Sequence, residues 1–202
     1  MLNKLNFEIH TFCAKNSLRP EINGVFVEPN RTTATDSFVL ITITTPKRDN
    51  IKDFPIIPNK PKPQDNFKSF ILPQVEAKKL LSTFPLKPQL PILENAVVYH
   101  SNGETVEIGT TNLESFGGVL CRIIQEKYPN CNDILTERGK FTEITLNPVY
   151  LKKIGEFFEK LNKEIKVKIP LKPNQPIRFY GINEKDSTQT ATAVLMPIKS
   201  ND

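Results

Sequence analysis

Histidine and cysteine are scarce in this chain, and long apolar runs are missing. Its 202 residues include two histidines and three cysteines. His10 and His100 stand alone, and a lone histidine is more often structural than catalytic. Cys13, Cys121 and Cys131 are odd in number and lack metal-ligand spacing, so they read as ordinary reduced thiols. No metal site is expected and nothing calls for a cofactor. No apolar stretch approaches the roughly 20 residues that span a bilayer. The start, Met1-Leu-Asn-Lys-Leu-Asn-Phe-Glu8, lacks the basic-then-apolar plan of a signal peptide. A cytoplasmic location is therefore expected, and the Asn30-Arg31-Thr32 sequon reads as chance. There is no Gly-rich phosphate loop, no Gly-x-Ser-x-Gly elbow and no His-Glu-x-x-His. Tyr99-His100-Ser101 reads as the entry to a turn, and nothing in the spacing of Asp36 and Asp133 makes them an acid pair. The chain is not expected to be an enzyme.

Apolar residues make up 38% of the chain and charged residues 24%, which suits a globular protein with one sizeable core or two small ones. The net charge is +5 and the pI about 9.0. This mild excess permits loose, sequence-independent attraction to phosphate.

One pattern organises the chain. Phe70-Ile-Leu-Pro-Gln-Val-Glu-Ala-Lys-Lys-Leu80 superimposes on Ile144-Thr-Leu-Asn-Pro-Val-Tyr-Leu-Lys-Lys-Ile154. Each copy is a short alternating strand, a helix start and an amphipathic helix with a lysine pair. Each is followed by alternating stretches that read as strands. The second copy predicts a strand over 70–72, a helix over 73–83 opened by Pro73, and strands near 96–99, 106–110 and 118–124. Ser101-Asn-Gly-Glu104 is a hairpin turn, because Asn and Gly tolerate positive φ. The third copy predicts a strand over 141–146, a helix from Pro148 to about Leu161 capped by Asn147, and strands over 166–170, 177–180 and 188–198. Ahead of them, Leu2, Leu5, Ile9 and Phe12-Cys13 recur at helical spacing and predict a helix over 2–15. Strands are expected over 22–27 and, as one or two, over 32–45. The coarse reading is α+β: tandem β-α-β-β-β units with antiparallel sheets and helices on one face, the first copy lacking its opening strand. Between the first two copies, Pro46 to Lys68 reads as a connector of polyproline character, partly mobile. The expected division is a complete two-unit domain over 1–136 and a half domain over 137–202.

Four stretches resemble the bacterial sliding clamp, the β subunit of DNA polymerase III. Arg19-Pro-Glu-Ile-Asn-Gly-Val-Phe-Val-Glu28 resembles a strand of the clamp's middle domain. Ala34-Thr-Asp-Ser-Phe-Val-Leu40 resembles its Ala-Thr-Asp-Gly-His-Arg-Leu signature. Arg122 to Leu135, with Tyr128-Pro129 and Asp133-Ile134-Leu135, resembles the segment that closes that domain. Val194-Leu-Met-Pro-Ile-Lys199 resembles the family's C-terminal Val-Met-Pro-Met-Arg. Their order is the family's order. Clamps carry three domains of two units each, so the resemblance is to a middle domain followed by the last half of the third.

The resemblance implies a DNA replication processivity factor that tethers polymerase and clamp-loader-type partners through a peptide-binding pocket. Carried over by position, the pocket wall is Ile22, Thr35, Ser37, Phe38, Leu40, Pro129, Ile134, Asn174, Met196, Pro197 and Ile198. Such a pocket needs apolar walls with a few orienting polar groups, and a thioether adapts to varied partners. Ser37 stands where the family has Gly, Phe38-Val39 where it has His-Arg, and Asp133 where it has a basic residue. The pocket is thereby more apolar and less basic. Clamp rings line their hole with basic helices facing double-stranded DNA, and Lys4, Lys15, Lys78, Lys79, Lys152, Lys153 and Lys160 are the matching candidates. Such contacts position without reading sequence. Unpaired sheet edges in the half domain invite self-association, with closed cyclic symmetry, so a homo-oligomer is expected. The other reading is a non-encircling adaptor or decoy that binds such peptides without holding DNA.

Overall fold

The structure, a computed structural model, describes residues 1–45, 51–57, 59–64, 66–136, 143–172, 175–185 and 187–198. Its contacts divide the chain into two compact units, Met1–Asp133 and Ile134–Asp202.

The first unit opens with β1 (Leu2–Asn3), α1 (Leu5–Glu8) and a 3-10 turn over Ile9–Phe12. The expected helix over 2–15 is thus cut to little more than two turns. Leu2 pairs with Ala96 in the second copy, and that long-range strand pairing overrides the local helical spacing. A helix this short is marginal by itself. So the first copy does have its opening strand, contrary to the sequence reading. The strands β2 (Gly24–Glu28), β3 (Arg31–Thr35) and β4 (Leu40–Thr44) follow. Ile22 precedes the strand and sits in a 3-10 turn, Pro20–Ile22.

The second copy runs β5 (Phe70–Pro73), α2 (Gln74–Leu81), β6 (Asn95–Ser101), β7 (Thr105–Thr111) and β8 (Phe116–Arg122). Pro73 ends the strand with extended backbone and does not open the helix. Between β6 and β7, Gly103 takes φ +90°, and the Asn102 side chain accepts from the Glu104 and Thr105 N–H groups.

The two copies exchange their opening strands. One sheet has the order β4-β3-β2-β5 and the other β1-β6-β7-β8, all antiparallel. α1 and α2 touch each other, and α2 packs on β2, β5 and β8. One core results, holding Phe7, Val25, Leu72, Ala77, Leu80 and Ile108. Each copy leaves a gap in its own sheet that the other fills, so neither can bury its apolar face alone.

The connector between the copies is anchored where it is described. Phe54 is buried with Val97 and Tyr99. The Gln64 N–H donates to the Val98 carbonyl at 2.7 Å. Lys60 pairs with Glu107 and lies 4.5 Å from the Phe116 ring centroid. Phe54 and Phe67 supply the apolar anchors that the proline count obscured.

The second unit contains α4 (Pro148–Glu159), β9 (Lys166–Lys168), β10 (Ile177–Ile182) and β11 (Thr190–Leu195), after a one-turn helix α3 (Asn132–Leu135) at the boundary. Asn147 caps α4 as expected, its Oδ1 accepting from the Val149 N–H at 2.9 Å. Sheet order is β11-β10-β9. Phe158, Ile177, Phe179 and Leu195 form the core, with Ile144 and Leu146 against it. The predicted strand over 141–146 is not assigned across its described residues, 143–146. Residues 141 and 142 lie outside the described residues.

Candidate peptide-binding surfaces and lysine faces

The β3–β4 turn is built by two side chains. The Thr35 hydroxyl donates to the Val39 carbonyl at 2.7 Å and accepts from the Ser37 N–H. Asp36 Oδ1 accepts from the Phe38 and Val39 N–H groups, both at 2.9 Å. Those two N–H groups, Val39's first, hold the Asp36 carboxyl below its ordinary value. Ser37 takes φ +81° to close the loop, a conformation that is costly for a non-glycine residue. The result throws the Phe38 side chain into solvent at 96% exposure.

The β7–β8 turn repeats every part of this. Thr111 Oγ1 donates to the Ser115 carbonyl and accepts from the Leu113 N–H. Asn112 Oδ1 accepts from the Glu114 and Ser115 N–H groups. Leu113 takes φ +80°. Thr35-Asp36 and Thr111-Asn112 are therefore one structural motif. The sequence reading missed it, although a Thr-Asx pair at the end of a strand is a visible turn signal.

Three of the expected pocket residues thus share one loop: Thr35 is buried beneath it, while Ser37 and Phe38 are exposed on it. Leu40 starts β4 opposite Thr35. Arg19 binds Glu21 at 2.9 Å and reaches the Ser37 hydroxyl at 3.4 Å, joining the Ile22 turn to the same loop. Ile22 itself is buried. Pro129 follows Tyr128, whose ring stacks on Phe26 with centroids 4.8 Å apart and whose hydroxyl donates to the Thr33 carbonyl. Burial pushes the Tyr128 phenol up, so it stays a neutral donor. Arg31, paired with Glu28 at 2.6 Å, also donates to Asn132 Oδ1. Tyr128 and Arg31 pin the closing segment to the β2–β3 hairpin, roles that resemblance alone did not assign.

In the second unit Ile134, Met196 and Ile198 are exposed and Pro197 is half-buried. Leu195 ends β11 turned into the core, and Met196 just past it is exposed. Asn174 lies outside the described residues.

The lysines divide similarly. Lys78 and Lys79 lie exposed on α2, and Lys152 and Lys153 on α4, with Lys160 at its C-terminal cap. Lys4 sits at the cap of α1. Lys15 lies beyond the last helical turn and is not borne on a helix, contrary to expectation. Glutamates dilute the positive charge: Lys79 pairs with Glu76 at 2.7 Å and Lys152 with Glu156 at 3.7 Å.

Among the described residues no cluster of histidine, cysteine and carboxylate side chains is placed to hold a metal, and no helix is long and apolar enough to cross a membrane. The Nδ1 of His10 faces the Phe7 carbonyl at 3.1 Å, a local structural contact. Burial raises the Cys13 thiol to about 12 and that of Cys121 to about 11, which makes both poor nucleophiles.

Two β-α-β-β-β copies that trade opening strands, with helices side by side across two antiparallel sheets, define a DNA-clamp fold. The fold is that of the bacterial sliding clamp. The Pseudomonas aeruginosa DNA polymerase sliding clamp superimposes with a TM-score of 0.68 at 14% identity, covering 99% of this chain and 50% of that one. The Helicobacter pylori β clamp gives 0.64 at 16% identity, over 96% and 46%. The DNA polymerase III β chain of Streptococcus pneumoniae gives 0.63 at 17%, over 98% and 48%. This chain spans about half the length of these clamps. No family model matches the sequence, and no curated protein matches it.

Proposed function

We propose that this chain is a non-enzymatic, clamp-like processivity factor for DNA replication. It acts in the cytoplasm as a homo-oligomer, holds double-stranded DNA without reading its sequence, and tethers polymerase or clamp-loader-type partners by short peptides. The observation that carries this reading is the clamp fold over nearly the whole chain, with Phe38 presented on a hydrogen-bonded loop. In this reading Ile22, Thr35, Ser37, Phe38, Leu40 and Pro129 of the first unit take part in peptide capture. By the same resemblance Ile134, Met196, Pro197 and Ile198 of the second unit take part, and Asn174, outside the described residues, is counted with them. An aromatic anchor and an adaptable thioether are the side chains that such capture uses. The helix-borne lysines Lys4, Lys78, Lys79, Lys152, Lys153 and Lys160, with Lys15 nearby, serve as exchangeable phosphate contacts, which permit sliding because none reads a base.

A second reading draws support from Glu76 and Glu156, which neutralise Lys79 and Lys152. Here the chain is an adaptor or decoy that binds clamp-binding peptides and leaves DNA alone. Retention on nicked circular DNA separates the two. Under the clamp reading the protein stays on the circle, falls off when the circle is linearised, and is lost more readily with Lys78→Glu plus Lys79→Glu. Retention that ignores linearisation, or none at all, sinks the clamp reading and leaves the adaptor.

A further inference from the structure

Within the first unit the two copies show how such a unit is completed. β1 crosses to pair with β6, β5 crosses to pair with β2, and α1 lies against α2. The third copy carries the same parts with their outer sides unused. β9 stands where β2 stands in the first copy. Among the described residues it bonds only to β10, and all three of its residues are exposed, whereas β2 is mostly buried.

The segment before α4 tells the same story. Thr145 matches Ile71 in the repeat. The Thr145 carbonyl accepts from the Ile198 N–H at 2.9 Å, as the Ile71 carbonyl accepts from the Ile124 N–H at 3.0 Å. Ile71 also pairs with Phe26 of β2 on its other side. Among the described residues no strand lies beside 143–146 in that way. Helix exposure agrees. Ala77 and Leu80 of α2 are fully buried in the core shared with Phe7 of α1. Their counterparts on α4 are Leu151, 42% exposed, and Ile154, half-buried. Phe157 beside them is 53% exposed.

We propose that the second unit is half of a two-fold domain, completed by the same unit of a second copy of this chain. Residues 143–146 of each copy run antiparallel along β9 of the other, and the two α4 helices meet through Leu151, Ile154 and Phe157. The proposal deepens the self-association in the reading above by giving it an interface, and it rests on that part of the reading alone. A second copy is the fitting occupant because donor strand and acceptor edge sit in one unit, which is what a self-complementary two-fold interface requires. The first unit shows that this exchange closes when two copies of the repeat meet. Charge agrees as well: exposed Glu143 lies on the donor segment, and exposed Lys166 and Lys168 flank Val167 on the acceptor edge, so the pairing sets opposite charges across strands. An unpaired edge of this kind is a template for another chain.

Light scattering of the full chain over rising concentration tests this. The expected result is a particle of twice the chain mass, shifted to monomer by Leu151→Asp with Phe157→Asp while the far-ultraviolet circular dichroism is unchanged. A second measurement covers a double variant that does not fold. Chains carrying T145C are mixed with chains carrying K166C, V167C or K168C, all with Cys131→Ser, and oxidised. At least one mixture gives a disulfide-linked dimer, mapped by mass spectrometry to 145 and 166–168. A monomer at every concentration assigns the edge to some other partner and overturns the proposal. So does a dimer that survives the helix substitutions and yields no such link. Retention on nicked DNA belongs to the earlier reading. A dimer that ignores DNA leaves this interface standing, and a strict monomer retained on circles removes the interface and the self-association it rests on while leaving DNA holding intact.

Discussion

Phe158 fills the space that a side chain at Gly181 would need. A Cβ built on Gly181 of β10 would stand 2.6 Å from Cδ1 of that ring. Phe158 is the most buried side chain of the second unit's small core. The helix therefore sits flush on the sheet only because β10 is bare there. Gly181→Ala should force the ring aside and destabilise this unit by about 1–3 kcal/mol, the usual cost of overpacking. Thermal unfolding would show the loss. An unchanged melting profile would mean that α4 does not seat on β10 in this way.

Tyr99 offers the opposite change. Its ring meets Phe116 edge-on, with centroids 5.7 Å apart. The hydroxyl is buried and has no hydrogen-bond partner among the described residues. Burial, helped by the charge of Glu107, raises its pKa to about 12, so it is neutral at working pH. A buried polar atom left unpaired costs roughly 1–3 kcal/mol. Tyr99→Phe keeps the ring and removes that atom, so stability should rise by about 1 kcal/mol. Denaturant midpoints check it, and a fall in stability would reveal a partner for the hydroxyl.

The two Thr-Asx turns make a matched pH experiment. Asp36 has its carboxyl held below the ordinary range by the Val39 and Phe38 N–H groups, while Asn112 does the same work as an uncharged amide. A depressed folded pKa contributes stability above the unfolded value, and that stability is lost as pH falls through the folded one. Acidification below the normal carboxylate range should therefore loosen the Phe38 turn and leave the Leu113 turn intact. Amide exchange or NMR shifts at Val39 and Ser115 report each turn separately. Asp36→Asn should remove the acid dependence. Equal sensitivity of both turns would overturn the assignment.

The parts of this fold that were legible are those whose causes are local. Asn147 before Pro148 marked a helix start, and the cap bond is there. Asn102-Gly103 marked a hairpin. What was obscured depends on distant partners. Leu2, Leu5 and Ile9 keep helical spacing, yet Leu2 belongs to a strand because Ala96 is there to pair with it. Ile144 and Leu146 alternate like a strand and pack inward like one, yet alternation alone makes no sheet without a neighbouring edge. The proline-rich connector looked loose because Phe54, its anchor, gains meaning only from Val97 and Tyr99. At the candidate site, Phe38 was visible by position in a signature. Its exposure was not, because that follows from a turn whose hydrogen bonds run through Thr35 and Asp36.

That exposure makes Phe38 the sharpest probe of peptide capture. The loop beneath it is held by Thr35 and Asp36, and Arg19 reaches it through Ser37. No part of that support uses the Phe38 side chain. Phe38→Ala should therefore change folding stability by less than about 0.5 kcal/mol, as is usual for exposed sites away from special features. An aromatic anchor at the centre of a protein contact commonly accounts for about 2 kcal/mol or more, so binding of a clamp-binding peptide should weaken by at least tenfold. Met196→Ala should weaken it as well if the exposed segment after β11 takes part. Fluorescence anisotropy with a labelled peptide measures both. Undiminished affinity in the Phe38 variant, with the fold intact, would move the peptide site away from this loop, because no other exposed aromatic side chain lies on the β3–β4 turn to take its place.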